Sequence, residues 1–108
     1  MVTPRRFEVW WCNLDPTGGR EISKARPVVI VSPDEANEAV AWFTVAPMMT
    51  GRLSYVSRVP TYFDGRDAVI TVDQLRCVDR VRLVRSMGEL DLPTRAHLLR
   101  ALAAFFAP

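Results

Sequence analysis

The 108-residue chain is short of the residues that metal and disulfide chemistry need, with two cysteines, Cys12 and Cys77, and one histidine, His97. Two cysteines so far apart make no disulfide framework, and three scattered ligand types are a weak basis for a metal site, so no metal or other cofactor is expected. Each cysteine reads as a small buried hydrophobe. Lysine is nearly missing: Lys24 stands alone among 14 basic residues, the rest being arginine. Strong charge of one sign is absent too, since the net charge is +2, so charge by itself does not mark a nucleic-acid binder. No apolar run approaches the ~20 residues that cross a bilayer. The opening MVTPRR leads into the mixed Phe7, Glu8 and Val9 rather than a signal-peptide stretch. A soluble, cytoplasmic protein without a membrane partner is the expectation.

What is present is ordinary globular composition, 49% hydrophobic and 24% charged, and the length suits one domain over residues 1–108. Residues 7–14 (FEVWWCNL) have the aromatic and β-branched content of a strand, with Trp10 and Trp11 on alternate faces, one for a core and the other for a groove or dimer surface. The turn residues Asp15, Pro16, Thr17, Gly18 and Gly19 stop it. After a polar loop, residues 27–31 (PVVIV) read as a buried strand, and Ser32, Pro33 and Asp34 as the cap of one helical turn through Asn37. Residues 40–47 (VAWFTVAP) form a third strand, ended by Pro47 and a loop over 48–54. Residues 55–59 form a short strand before Pro60. Asp64–Gly65 favours a hairpin turn ahead of a buried strand at 68–72. Residues 74–79 are open between a short helix and an extended link, and 81–87 suit a final strand. Asp91 then caps a C-terminal helix, with Pro93 in its first turn and Leu98, Leu102, Phe105 and Phe106 at helical spacing. Many short strands and one helix suggest a small barrel.

The segments FEVWWCNLDPTGG, REISKARPVVIVSPDEAN, TVAPMMT and AVITVDQLRCVDRVRLV follow one another in an order that resembles the MazF/PemK toxin family, whose opening usually reads RGDIWWVDLDPTxGSE…xRPAVVVSP. Trp10, Trp11, Leu14, Asp15, Pro16, Thr17, Gly19, Glu21, Arg26, Pro27, Ser32, Pro33, Pro47, Asp73 and Gln74 all match. The resemblance spans nearly the whole chain. It implies an SH3-like small β-barrel (CcdB/PemK-like) with a C-terminal helix, a homodimer, and sequence-specific cleavage of single-stranded RNA without a metal ion. It also implies a cognate antitoxin whose acidic tail lies across the RNA groove.

Metal-free RNA cleavage lets the 2′-OH attack the adjacent phosphorus and leave a 2′,3′-cyclic phosphate. The protein then moves two protons and stabilises charge on the nonbridging oxygens. Arg26 is the leading candidate, since it opens a buried strand run and Pro27 fixes the backbone beside it. Glu21 is the nearest carboxylate, able to accept the 2′-OH proton or to orient Arg26; a salt bridge from Arg26 to Glu21 or Asp15 is the architectural alternative. The family places a threonine or serine shortly after Pro47. Aligned without a gap, Met49 takes that position and Thr50 follows it, and a methionine neither donates nor accepts usefully at a phosphate. Thr50 is therefore the catalytic hydroxyl expected. Arg20, Lys24, Arg52, Tyr55 and Arg58 interleave cations with an aromatic as a single strand of RNA would require. Asp73 and Gln74 complete the RNA-binding set, with Asp73 equally suited to holding the barrel rim. Base specificity is expected in the loops 15–24 and 48–55. His97 sits on the terminal helix, away from this site.

Two other readings use the same fold. A gyrase-binding toxin would carry a Trp-Gly-Ile-like tip on its last helix, whereas this chain ends in Phe105, Phe106, Ala107 and Pro108. A catalytically inactive binding module would follow from the loss of the hydroxyl at Met49.

Overall fold

Seven strands and two helices make up the protein in the computed structural model, which describes residues 3–14, 25–50 and 57–108. They run β1 (Glu8–Asn13), β2 (Ala25–Ile30), α1 (Asp34–Ala39), β3 (Trp42–Thr50), β4 (Arg58–Phe63), β5 (Arg66–Thr71), β6 (Arg76–Asp79), β7 (Leu83–Glu89) and α2 (Leu92–Phe106), with 3₁₀ turns at Val72–Gln74 and Arg80–Arg82. The strand order is β4-β5-β3-β2-β1-β7, and β6 pairs with the first half of β3. Every pairing is antiparallel. The five strands β6, β3, β2, β1 and β7 curl as a small barrel does. The curl is not closed by a ladder: among the described residues the 3₁₀ turn Arg80–Arg82, and no strand pairing, joins β6 to β7.

Strand alternation sends side chains to two cores. Trp10, Cys12, Leu14, Val28, Ile30, Phe43, Val45, Val78 and Leu83 form one, contributed by all five strands of the curl. Val9, Val29, Ala46 and Met48 point the other way and meet Val59, Ala68, Ile70 and Val72, together with Leu90, Leu98 and Ala101 at α2. Each fully buried Val or Ile contributes roughly 1.5–3 kcal/mol, so the β4–β5 hairpin and α2 are held by burial rather than by helix propensity.

The expected elements are present, with instructive shifts. β3 does not stop at Pro47 but continues through Met48, Met49 and Thr50. Its last pair with β2 is Val28–Pro47 and its first with β5 is Met48–Ile70. The Pro47 carbonyl accepts a 2.8 Å hydrogen bond from Thr71 Oγ1, so that side of Pro47 faces the gap between the β5 and β6 ladders. A missing N–H there removes no ladder bond. Pro60 likewise sits inside β4, exposed on an edge strand, which starts at Arg58 rather than ending before Pro60. The short helix starts at Asp34 and ends at Ala39. Its first residue does not cap it; the Asp34 carboxylate instead accepts from the Arg6 N–H and from Arg5 Nη2, each at 2.8 Å. Residues 76–79 are a strand. Val81 falls in a 3₁₀ turn and is exposed, and β7 begins only at Leu83.

The Asp64–Gly65 turn forms with φ of 54° and 81°, the mirror-image geometry that two-residue hairpins need. Asp91 caps α2 through a 2.8 Å bond from the Thr94 N–H. Phe105 and Phe106 do not join the core: both are exposed, and they pack edge to face on each other. Of the cysteines only Cys12 is buried, while Cys77 is exposed. Phe7 holds a left-handed backbone (φ 74°) where the family pattern has glycine, its ring flanked by the guanidiniums of Arg6 and Arg95, each 5.5 Å from the centroid.

Candidate nucleic-acid interface

β2 enters the sheet at Ala25, so Arg26 stands at the rim, half-buried and paired with Cys12 of β1. Directly paired residues share a face, which places Arg26 on the side of Cys12 and Val28. The β2–β3 ladder ends at Val28 and Pro47, two residues inward of Arg26, and Met49 pairs with Val69 of β5. Thr50 follows Met49 in the same strand and so projects from the opposite face, with Ala68 as its pair. Met49 and Thr50 both reach the cleft described below.

Further cations gather on the Arg26 side. Burial pushes the Cys12 thiol up to about 11, against an opposing influence from the nearby charges of Arg76 and Arg82. Arg82 Nη1 donates to the Asn13 carbonyl at 3.3 Å, holding the end of β1. Among the described residues neither Arg26 nor Arg76 has an acidic partner, whereas Arg5, Arg58 and Arg95 pair with Asp34, Asp73 and Glu89.

On the other face of the same rim lies a cleft of about 370 Å³. Trp11 and Pro27, a directly paired couple, form one wall. Met48, Met49 and Met87 make an adaptable apolar lining, and Thr50, Asp64, Arg66 and Arg85 supply its polar groups. The Arg85 guanidinium lies 5.7 Å from the Trp11 ring. A β-bulge makes that contact. Leu83 pairs with Cys12 and Arg85 with Trp11, so the register shift between Trp11 and Cys12 carries Arg85 to the Trp11 side.

Arg58 and Asp73 are turned toward each other. Arg58 Nε reaches Asp73 Oδ1 at 2.8 Å and Nη2 reaches Oδ2 at 3.1 Å, which links the start of β4 to the 3₁₀ turn after β5. The hydrogen bonds from Arg58 hold the Asp73 carboxyl below the ordinary carboxylate range. Gln74 is exposed beside it. Arg20, Glu21, Lys24, Arg52 and Tyr55 lie outside the described residues, and so does the pairing of Arg26 with Glu21 or Asp15. His97 is exposed on α2, which packs on β4 and the Val72–Gln74 turn. No cluster of three or more His, Cys, Asp or Glu able to hold a metal ion occurs among the described residues, and no described helix is long and apolar enough to cross a membrane.

Sequence reasoning missed Arg66, Arg76 and Arg85 as site residues. Arg66 is visible as the residue after Asp64–Gly65, and Arg76 as the first cation after Gln74. Arg85 had no signal, because strict alternation puts it on the Leu83 side and only the bulge reverses it.

Residues 5–106 match the model of a family described as PemK-like, MazF-like toxin of type II toxin–antitoxin system. Endoribonuclease MazF9 of Mycobacterium tuberculosis (strain ATCC 25618 / H37Rv) is 31% identical over 109 residues, covering 91% of this chain and 92% of that protein. Among solved structures, an endoribonuclease in complex with its cognate antitoxin from a Mycobacterial species superposes with a TM-score of 0.78 at 23% identity, covering 94% of this chain and 92% of the other. MazF (Form-I) from Deinococcus radiodurans gives a TM-score of 0.79 at 22% identity, covering 97% of each chain.

Proposed function

The chain belongs to the PemK-like, MazF-like toxins of type II toxin–antitoxin systems, and on that premise we propose that it is an endoribonuclease in which Arg26 holds the scissile phosphate of single-stranded RNA. One observation carries the assignment: Arg26 is a rim guanidinium with no acidic partner among the described residues, on a backbone fixed by its pairing with Cys12 of β1 and by Pro27. The substrate's 2′-OH attacks phosphorus, the P–O2′ bond forms as the P–O5′ bond breaks, and a 2′,3′-cyclic phosphate and a 5′-OH result. The proton leaves the 2′ oxygen for a base, for which Glu21 is the candidate, and another is delivered to the 5′ oxygen. Arg26 stabilises the charge on the nonbridging oxygens, a role suited to the fixed fork of N–H donors in its guanidinium. No residue in this scheme calls for a metal ion.

Met49, at the position of the family's hydroxyl residue, brings no hydroxyl to the phosphate, so the family's usual partner is missing there. Thr50 contributes from the cleft side, as a hydrogen-bonding group for substrate. Arg76 and Arg82 extend the cationic rim for flanking phosphates, and Arg20, Lys24, Arg52 and Tyr55 are the sequence's further candidates for RNA contacts. Arg58, Asp73 and Gln74 set the edge of the surface.

The same rim suits the acidic tail of a cognate antitoxin, and the cell interior, where RNA is, is the site of action. Homodimer formation is supported by α2, which has a second apolar stripe, Leu92, Leu99 and Phe106 at seven-residue spacing, exposed on the side away from the core. The 1–108 stretch acts as one unit, with β1, β2 and β3 common to both cores.

Purified protein incubated with labelled single-stranded RNA in excess EDTA is expected to cut, and Arg26→Ala to reduce cleavage by about 10²–10³, as loss of an oxyanion-stabilising donor does elsewhere. Cleavage that survives Arg26→Ala would place the site elsewhere. RNA binding without cutting by the wild-type chain would favour the inactive binding module that Met49 suggests.

A further inference from the structure

We infer that the Trp11 cleft is a nucleobase pocket, which receives a base next to the cut site while the phosphate beside it lies over Arg26. The inference rests on the nuclease reading only for the position of the cut; the pocket itself stands on its own geometry. Trp11 is half-buried and offers the cleft a π surface, and Arg85 lies against that ring at 5.7 Å. The volume of about 370 Å³ takes one base with room for ordered water. Met48, Met49 and Met87 provide walls that adapt to a flat ring of either size, while Thr50 and Asp64 offer hydrogen-bonding groups that a base edge can meet.

The charge balance favours nucleic acid over an apolar peptide side chain. Among the described residues two arginines, Arg66 and Arg85, line the cleft against one acid, Asp64, so the groups tied to a bound base should be phosphates. Position agrees with this. Pro27 lines the cleft and Arg26 precedes it, so one Cα step, about 3.8 Å, separates the phosphate-holding residue from the pocket wall. A single strand crossing this rim can leave its backbone on the Arg26 face and drop a base over the edge onto Trp11. Bases splayed from the stack and laid on aromatic side chains are how single-stranded RNA is generally read.

The test couples the protein to individual bases. RNA oligonucleotides bearing 2′-O-methyl sugars, which lack the nucleophile, are bound to the full chain with each position in turn made abasic. For the wild type, one position is expected to weaken binding by roughly 5- to 150-fold, the range of base–aromatic stacking. Trp11→Ala should abolish the penalty at that position alone, Trp11→Tyr should restore most of it, and Arg85→Ala should reduce it. Cut-site sequencing with Trp11→Ala should show a relaxed preference at the same nucleotide, with a larger change in KM than in kcat. Equal penalties at all positions, or a penalty unchanged by both Trp11→Ala and Arg85→Ala, would overturn the pocket. Loss of binding to an acidic antitoxin tail with RNA binding intact would assign the cleft to a protein side chain and overturn it equally. Base coupling in a protein that never cuts RNA would keep the pocket and remove the nuclease reading. Cutting that needs Arg26 but shows no coupling would do the reverse.

Discussion

Arg58 at the start of the edge strand β4 and Arg26 at the start of the interior strand β2 carry the same guanidinium and are held in opposite ways. The Arg58 side chain is 10% exposed and gives two donors to Asp73, so its charge is balanced inside the protein. Arg26 is half-buried and meets no acid among the described residues, and neither does the exposed Arg76, whose charge acts on Cys12, the β1 pair of Arg26. A planar fork already matched by a carboxylate fixes architecture; one that meets no acid among the described residues is the kind of group the proposed phosphate contact needs. The difference separates residues that look alike in sequence, where both are arginines beside apolar runs.

Substitutions can break or sharpen that contrast. The largest effect is expected at Arg26, where Ala should remove most activity with the thermal midpoint nearly unchanged, measured by cleavage and melting on the same preparation. A large fall in Tm would move Arg26 to the architectural group. Asp73→Asn should do the converse, lowering stability by about 1 kcal/mol, a shift of several degrees, and leaving cleavage within a few-fold. Its pH dependence follows from the sign of the shift. The carboxyl titrates lower in the folded state than in the unfolded one, so its contribution is present above the ordinary carboxylate pKa and is lost as pH falls through the folded value. Stability curves of wild type and Asp73→Asn should therefore converge in acid. Parallel curves would count against the pair.

Smaller effects belong to the flanking cations. Arg76→Ala and Arg82→Ala should each reduce the slope of log binding constant against log salt by about 0.7, the single-strand value per phosphate contact. An unchanged slope would confine the cationic rim to Arg26. The smallest effect separates the two thiols. Cys77 is exposed and should react with a disulfide reagent in the native state, whereas Cys12, buried and pushed up to about 11, should react only on unfolding. Two fast thiols would mean that the core around Cys12 opens.

Much of the fold was legible because local chemistry agreed with it: the alternation of Trp10 and Trp11, the Asp64–Gly65 turn, and the cap at Asp91 each specify their element without distant help. The misjudged parts depended on partners remote in sequence. Pro47 and Pro60 read as strand ends, yet one faces a gap between ladders and the other an open edge, and neither setting can be seen locally. Cys77 and Phe105 read as core by residue type, and only packing decides exposure. Of the candidate site, Arg26 was legible from its place before Pro27 in the family pattern. The place of Met49 in the cleft needed the β3–β5 pairing, and the Trp11–Arg85 contact needed a bulge.

The handover of β3 at Pro47 has a kinetic consequence. The first half of β3 is pinned on both sides by β2 and β6, while Met48, Met49 and Thr50 take their ladder bonds from β5 of an edge hairpin. If that hairpin undocks as a unit, Thr50 and one wall of the Trp11 cleft leave with it, while Arg26 stays with the curled strands. Amide hydrogen exchange should then show Met49 and Thr50 opening at the rate of Val69 and Ile70, ahead of Val28 and Val29.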